Sequence, residues 1–135
     1  MNTVERLDEI RGLSDGDFWF LASPYRRYSL GREAAYQFAL DVSDILEMEG
    51  IHHWSPIVNS HVAARKATLN PTDNKLWYSV NMRFFGLSHG LLILAMPGWD
   101  KSDGIQDEHD WFTRNKRPIW LLPPALVMPS EVLAL

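Results

Sequence analysis

Three continuous apolar runs and one shorter run are spaced along the chain, with helix-like segments between them. They are FWFLAS at 18–23, IHHW at 51–54, LLILAM at 91–96 and PIWLL at 118–122. Continuous apolar runs of this length are typical of strands buried on both faces. Strands that alternate with helices predict an α/β fold around a parallel sheet of four or five strands. The fifth strand is predicted around Ala125–Met128.

The intervening segments carry helix signals. Between the first two strands, apolar residues recur at three- and four-residue steps and Gly50 stands where a C-cap belongs. Asn70 as cap and Pro71 at the first turn predict a second long helix. A third helix is predicted from about Asp103 to Lys116. The predicted apolar face of the second helix consists of Trp77, Val80, Phe84 and Leu87.

The length and composition indicate one soluble domain. A chain of 135 residues is enough for one hydrophobic core, so we predict a single domain over 1–135 with an N-terminal helical extension at 1–16. A net charge of −4 gives no basic surface for duplex nucleic acid or an anionic membrane, which leaves a small molecule or a protein as partner. No apolar run is long enough to span a membrane. The absence of cysteine excludes thiolate chemistry and suits a reducing cytoplasm, where we expect the protein to act.

In parallel α/β sheets, ligands bind where the loops leave the carboxyl ends of the strands. Three loops meet that description, SPYRRYSLGR at 23–32, SPIVNSH at 55–61 and PGWDKSDG at 97–104. The arginines of the first loop suit a phosphate or carboxylate, although arginines are also common on solvated surfaces. Either Ser60 or His61 could equally be a solvated loop residue. The candidate binding residues are Ser23, Pro24, Arg26, Ser60, His61, Trp99, Ser102 and Gly104.

The third helix carries a carboxylate inside an apolar stripe. Glu108 lies three residues after Ile105 and four before Phe112, so the three share one side of the helix. Burial raises a carboxyl pKa and a helix N-terminus lowers it, so spacing leaves the direction open. Glu108 is either a helix-dipole residue at the rim of the core or a functional carboxylate.

The residues before Glu108 have structural explanations of their own. Asp103 and Gln106 have capping-box spacing. Gly104 allows a ligand to approach the backbone. Asp100 is either an Asx-turn residue or an acceptor for ligand hydroxyl or amino groups.

Several common sites are missing from the sequence. It contains no G-x-G-x-x-G after a strand, no P-loop and no H-E-x-x-H. The letters G-x-S-x-G occur as GLSHG at 86–90, but they precede a predicted strand, whereas a nucleophile elbow follows a strand, so no such elbow supports a serine hydrolase. The five histidines lack metal-ligand spacing. We therefore predict neither a metal nor a cofactor.

The segments FWFLASPY, SPIVNSH and LLILAMPGWDKSDGIQDEHDWFTRNKRPIWLL resemble the nucleoside 2-deoxyribosyltransferase-like superfamily over about residues 17–122. Within it they are most similar to short bacterial and phage proteins named only as a domain of unknown function. The resemblance implies a flavodoxin-like or Rossmann-like three-layer sandwich. It also implies a homo-oligomer that cleaves the N-glycosidic bond of a deoxynucleoside or its 5′-monophosphate, with water or a second base as acceptor.

The resemblance also assigns roles to individual residues. Glu108 matches the glutamate that attacks the anomeric carbon, and Asp100 matches an aspartate that contacts the substrate. Tyr25 matches the aromatic residue after the first strand, and we expect it to hold Glu108. Gly104 and Ser102 match the glycine that opens the helix and a serine near phosphate. Because IQD precedes Glu108 and His109 follows it, unlike many transferases, the alternative is a non-catalytic nucleotide-binding module.

Overall fold

The computed structural model describes residues 2–25, 28–63, 70 and 74–127. They form an α/β sandwich in which helices flank a five-stranded parallel sheet, as the sequence predicts. The strands are β1 (Asn2–Thr3), β2 (Trp19–Ala22), β3 (His53–Trp54), β4 (Gly90–Leu94) and β5 (Ile119–Leu122). The helices are α1 (Leu7–Ser14), α2 (Arg32–Met48), α3 (Pro56–Ala63), α4 (Asn74–Leu87) and α5 (Asp103–Arg114), with 3-10 turns at Trp99–Lys101 and Pro124–Leu126.

The strand order is β1-β5-β4-β2-β3, and every neighbouring pair is parallel. From β2 the chain crosses to β3 at one edge, and from β4 it crosses in the opposite direction to β5. This is the order of a flavodoxin-like sheet, whose ligand crevice lies where the direction of winding reverses. Here that point lies between the carboxyl ends of β2 and β4.

The N-terminal edge strand differs from the sequence prediction. Residues 1–16 were predicted as helix alone, but Asn2 and Thr3 pair with Trp120 and Leu121 of β5 before α1 begins. The predicted strand at Ala125–Met128 is wrong within the described residues, because Pro124–Leu126 forms a 3-10 turn. Met128 lies outside the described part of the chain. Adjacent prolines at 123 and 124 lack the N–H groups that a ladder needs.

Side chains of β2 and β4 alternate between two buried layers. Trp19 and Leu21 pack with the layer beneath α1 and α2, whereas Phe20 and Ala22 pack with the layer beneath α4 and α5. Both central strands are fully buried. Ile105 and Phe112 anchor α5 in the second layer. Each fully buried side chain of this size contributes about 1.5–3 kcal/mol.

The buried face of α4 is rotated from the predicted one. Leu87 is 66% exposed, whereas Phe85 is 1% exposed. The Phe85 ring lies against Phe20 at 4.7 Å and against Phe112 at 5.6 Å between centroids. These contacts bring α4 alongside α5. The predicted start signal at Pro71 lies outside the described residues.

Candidate active site between α4 and α5

The start of α5 is fixed by Ser102. Its Oγ accepts a hydrogen bond from the backbone N–H of Ile105 at 3.4 Å, so Ser102 is the N-cap. The predicted Asp103–Gln106 capping box is wrong, because the Gln106 amide donates to Asp110 Oδ1 at 3.2 Å. A serine hydroxyl accepts the capping bond as well as a carboxylate does, and here the chain enters the helix one residue earlier.

Glu108 lies on the side of α5 that faces α4. Its Oε2 atom is buried and has no hydrogen-bond partner among the described residues. Burial, assisted by the negative charge of Asp107, raises the pKa of Glu108 well above its ordinary value of 4.5. A carboxylate stabilised by the helix dipole would show the opposite direction. Burial therefore outweighs any effect of the helix dipole on Glu108.

The Glu108 side chain borders a cavity of about 80 Å³ between the two helices. Gly104 and Asp107 line it from α5, and the opposite wall comes from α4. A Cβ at Gly104 would have only Ser102 Oγ nearby, at 4.0 Å, so this wall is open. The α4 wall consists of Trp77, Tyr78, Asn81 and Phe85. None of these four residues was predicted to line the site, although their spacing places them along one helix face.

A larger groove adjoins the Glu108 cavity, since Tyr78 and Asp107 line both. Its volume is about 640 Å³, within the range of small-molecule sites. Lys75 and Arg114 bring positive charge to it, and Asp107 and Asp110 bring negative charge. The two spaces together offer a buried carboxylate at one end and a wider, partly charged region at the other.

Asp100 and Trp99 belong to a different cavity, of about 220 Å³. It is lined also by Ile105, Gln106 and His109, which are not among the residues that line the Glu108 cavity. Asp100 is exposed in the 3-10 turn before α5. The structure thus does not bring the two predicted carboxylates into one cavity.

Tyr25 is buried and its hydroxyl is engaged elsewhere. Tyr25 Oη lies 2.6 Å from Nδ1 of His61, so the expectation that Tyr25 holds Glu108 is wrong. The other ring nitrogen of His61, Nε2, lies 2.7 Å from Oε2 of Glu33. The Tyr36 ring stacks on the imidazole at 4.4 Å with an interplanar angle of 16°. Glu33 and Tyr36, both on α2, were not among the predicted site residues.

The remaining predicted binding residues that the structure describes do not line the Glu108 cavity. Ser23 and Pro24 line a narrow pocket at the reversal point between β2 and β4, where Ser23 Oγ is buried without a partner among the described residues. Ser60 is buried in α3. Arg26 lies outside the described residues.

The sheet and the half-buried Glu108 define a flavodoxin-like α/β sandwich protein with a candidate carboxylate-centred site between α4 and α5. The chain belongs to the family described as Domain of unknown function (DUF1937), whose model matches residues 18–123. The match spans β2 to β5 and leaves β1 and α1 before it. Among curated proteins, none matches the chain.

Within 2–25, 28–63, 70 and 74–127, no three histidine, aspartate or glutamate side chains are grouped so as to hold a metal ion. None of the helices in the same ranges is long and apolar enough to cross a bilayer.

Proposed function

We propose that this protein cleaves the N-glycosidic bond of a deoxynucleoside or deoxynucleoside 5′-monophosphate, with Glu108 as the nucleophile. The observation that carries the proposal is the buried, unpartnered carboxylate oxygen of Glu108 at the edge of a cavity. The likeness of this segment to the nucleoside 2-deoxyribosyltransferase-like superfamily supplies the reaction.

The surroundings of Glu108 suit attack on a sugar. A carboxylate nucleophile forms a glycosyl-enzyme intermediate, which water or a second base then resolves. The transition state carries positive charge on the sugar ring, which an anion that lacks water and hydrogen bonds stabilises strongly. The elevated pKa of Glu108 reports the same lack of solvation. The ionised form of Glu108 is the reactive one.

The α4 wall suits a nucleobase. Trp77 and Tyr78 present aromatic rings to the cavity, and aromatic stacking on a base contributes about 1–3 kcal/mol. Asn81 offers an amide that can donate to and accept from a base edge. Lys75 and Arg114 in the adjoining groove suit a 5′-phosphate. These features favour a nucleotide over a free sugar.

The direct experiment incubates the protein with a panel of deoxynucleosides and their monophosphates and separates free base by chromatography. Wild type releases base, and Glu108→Gln, which keeps the shape and removes the anion, does not. Asp107→Asn is the matched control, because Asp107 lines the same cavity and has no role as nucleophile. Adding a second base distinguishes transfer from hydrolysis.

One observation favours a nucleotide-binding module without turnover. Asp100 and Glu108 border separate cavities, and Tyr25 is bonded to His61, so the three expected catalytic groups are not assembled around one space. In that case nucleotides raise the melting temperature of the protein by mass action, but no base appears during a long incubation.

We further propose that the protein acts in the cytoplasm as a homo-oligomer. The enzymes of the nucleoside 2-deoxyribosyltransferase-like superfamily, which the sequence resembles, form such oligomers. Met48 and Leu87 are 80% and 66% exposed, and they are candidates for a subunit interface. Size-exclusion chromatography with light scattering measures the assembly, and Met48→Lys weakens it if α2 lies in the contact.

A further inference from the structure

A second cavity, of about 220 Å³, lies where the turn after β4 enters α5. In parallel α/β sheets, ligands bind at this carboxyl end of the strands. Among the residues that the structure describes, none lines both this space and the Glu108 cavity. Successive helix residues are rotated by about 100°, which places Gln106 and Glu108 on nearly opposite sides of α5. We call this space the Trp99 cavity, and its described lining is Trp99, Asp100, Ile105, Gln106 and His109.

The apolar part of the Trp99 cavity includes a flat aromatic surface. Trp99 is half-buried, and its indole packs against the buried layer that contains Ile105 and Phe112. Ile105, which is 3% exposed, lines the same space. Because the core holds the indole in place, little side-chain freedom is lost when a flat ring stacks on it. Every nucleobase can stack on tryptophan, so this surface favours a flat heteroaromatic ring without choosing among the bases.

Hydrogen-bond acceptors form the polar part of the cavity. The Asp100 carboxylate, exposed in the 3-10 turn, can only accept hydrogen bonds. The amide nitrogen of Gln106 donates to Asp110 Oδ1 at 3.2 Å, which leaves the amide oxygen as the acceptor for a ligand. Asp100 and Gln106 therefore favour a ligand whose edge consists of donors.

A pair of neighbouring donors on a flat ring matches the carboxylate of Asp100. The two carboxylate oxygens accept two parallel hydrogen bonds from such a pair. Guanine presents it on one edge, as the N1–H group and the adjacent 2-amino group. Adenine and cytosine place a ring acceptor beside their amino group, and uracil and thymine place carbonyl oxygens on both sides of their N3–H group. A carboxylate repels those acceptors, so it discriminates in favour of guanine.

We propose that the Trp99 cavity binds a guanine base, which stacks on the indole of Trp99 and donates from N1 and the 2-amino group to Asp100. The second hydrogen of the amino group is donated to the amide oxygen of Gln106. The cavity is smaller than a site for a complete drug-sized ligand, which suits the base alone. The larger groove also borders His109, so the sugar has room outside the cavity. This binding does not depend on cleavage of a glycosidic bond at Glu108.

Guanosine 5′-monophosphate and inosine 5′-monophosphate test the proposal, because they differ only by the 2-amino group. Isothermal titration calorimetry measures the Kd of each. Hydrogen bonds to a charged group are strong, so we expect wild type to bind the guanine nucleotide at least about tenfold more tightly. Asp100→Asn has one acceptor and one donor in place of two acceptors, so it should bind both nucleotides with similar affinity. Trp99→Ala should weaken the binding of both by about tenfold or more.

The control variants assign the preference to this cavity. Asp41→Asn, at an exposed aspartate of α2, keeps the ratio of the two Kd values. Trp99→Phe keeps an aromatic ring and the preference for guanine, and it replaces Trp99→Ala if the latter does not fold. Glu108→Gln also keeps the ratio, because Glu108 does not line the Trp99 cavity.

Three results would overturn the guanine site. They are equal binding or no binding of the two nucleotides by wild type, a guanine preference that survives in Asp100→Asn, and a preference that is lost in Glu108→Gln. None of them bears on the release of base from deoxynucleotides, which decides the role of Glu108 separately.

Discussion

Tyr25 Oη and His61 Nδ1 lie 2.6 Å apart, although 36 residues separate them along the chain. The bond joins the loop after β2 to α3, and the link from His61 to Glu33 extends it to α2. The carboxyl edge of the sheet is therefore held together by polar contacts, while the interior of the sheet is apolar.

Removal of the His61 ring should destabilise the fold. His61→Ala leaves the buried Tyr25 hydroxyl without its acceptor, and an unsatisfied buried group costs about 1–3 kcal/mol. We expect a decrease of that size in the free energy of unfolding in urea. Tyr25→Phe removes the hydroxyl itself, so no unpaired hydroxyl stays buried. Its free energy of unfolding is therefore expected to fall by less than that of His61→Ala. If the histidine variant is as stable as wild type, the hydrogen bond is not formed in solution.

Glu108→Gln should be more stable than wild type at neutral pH. Because the pKa of Glu108 is raised on folding, the folded protein holds its proton more tightly than the unfolded chain does. Stability is therefore greatest below the unfolded value of 4.5 and falls as pH rises through the folded pKa. The glutamine variant lacks this loss, so its free energy of unfolding at neutral pH is expected to exceed that of wild type.

The pH series checks the origin of that gain. Unfolding free energies of wild type and Glu108→Gln should converge below pH 4.5, where both side chains are neutral. A gain that persists unchanged at low pH would mean that charge is not its cause.

Asp107→Asn should shift the pH dependence of the reaction. The Asp107 charge raises the pKa of Glu108, so its removal lowers that pKa and extends activity to lower pH. The acidic limb of kcat/KM against pH reports the free enzyme and is the quantity to measure. Asp110→Asn is the comparison, because Asp110 is not among the groups that shift Glu108. Identical acidic limbs for wild type and Asp107→Asn would contradict the assignment.

Two glycines should respond oppositely to alanine. A Cβ at Gly90 would lie 2.5 Å from the Pro118 carbonyl oxygen and 2.9 Å from Trp19, so Gly90→Ala overpacks β4 and costs about 1–3 kcal/mol. A Cβ at Gly104 meets nothing closer than 4.0 Å, and alanine is favoured there by up to about 1 kcal/mol. Thermal unfolding distinguishes the two. Equal losses in both variants would show that α5 begins differently.

The sequence was sufficient for the central strands, because β2 and β4 are buried on both faces and read as continuous apolar runs. It was insufficient for β1, whose two residues, Asn2 and Thr3, carry no apolar pattern. Only pairing with β5 makes them a strand. The strand predicted at Ala125–Met128 was wrong for a related reason. The residues around Leu126 are apolar, but the prolines before them favour the 3-10 turn that forms there.

In the candidate site too, local patterns predicted some features and tertiary packing decided the others. Spacing within one helix was enough to single out Glu108. The facing wall on α4 and the pairing of Glu33 with His61 depend on tertiary packing between distant segments, which no local pattern encodes. Asp100 was assigned by its place in the chain, but the turn before α5 directs it to another cavity.

The role of Glu108 as nucleophile is tested by the release of free base from deoxynucleoside 5′-monophosphates, compared among wild type, Glu108→Gln and Asp107→Asn at saturating substrate. We expect base from wild type and Asp107→Asn and none above background from Glu108→Gln. Base release that survives in Glu108→Gln would contradict the assignment of the nucleophile.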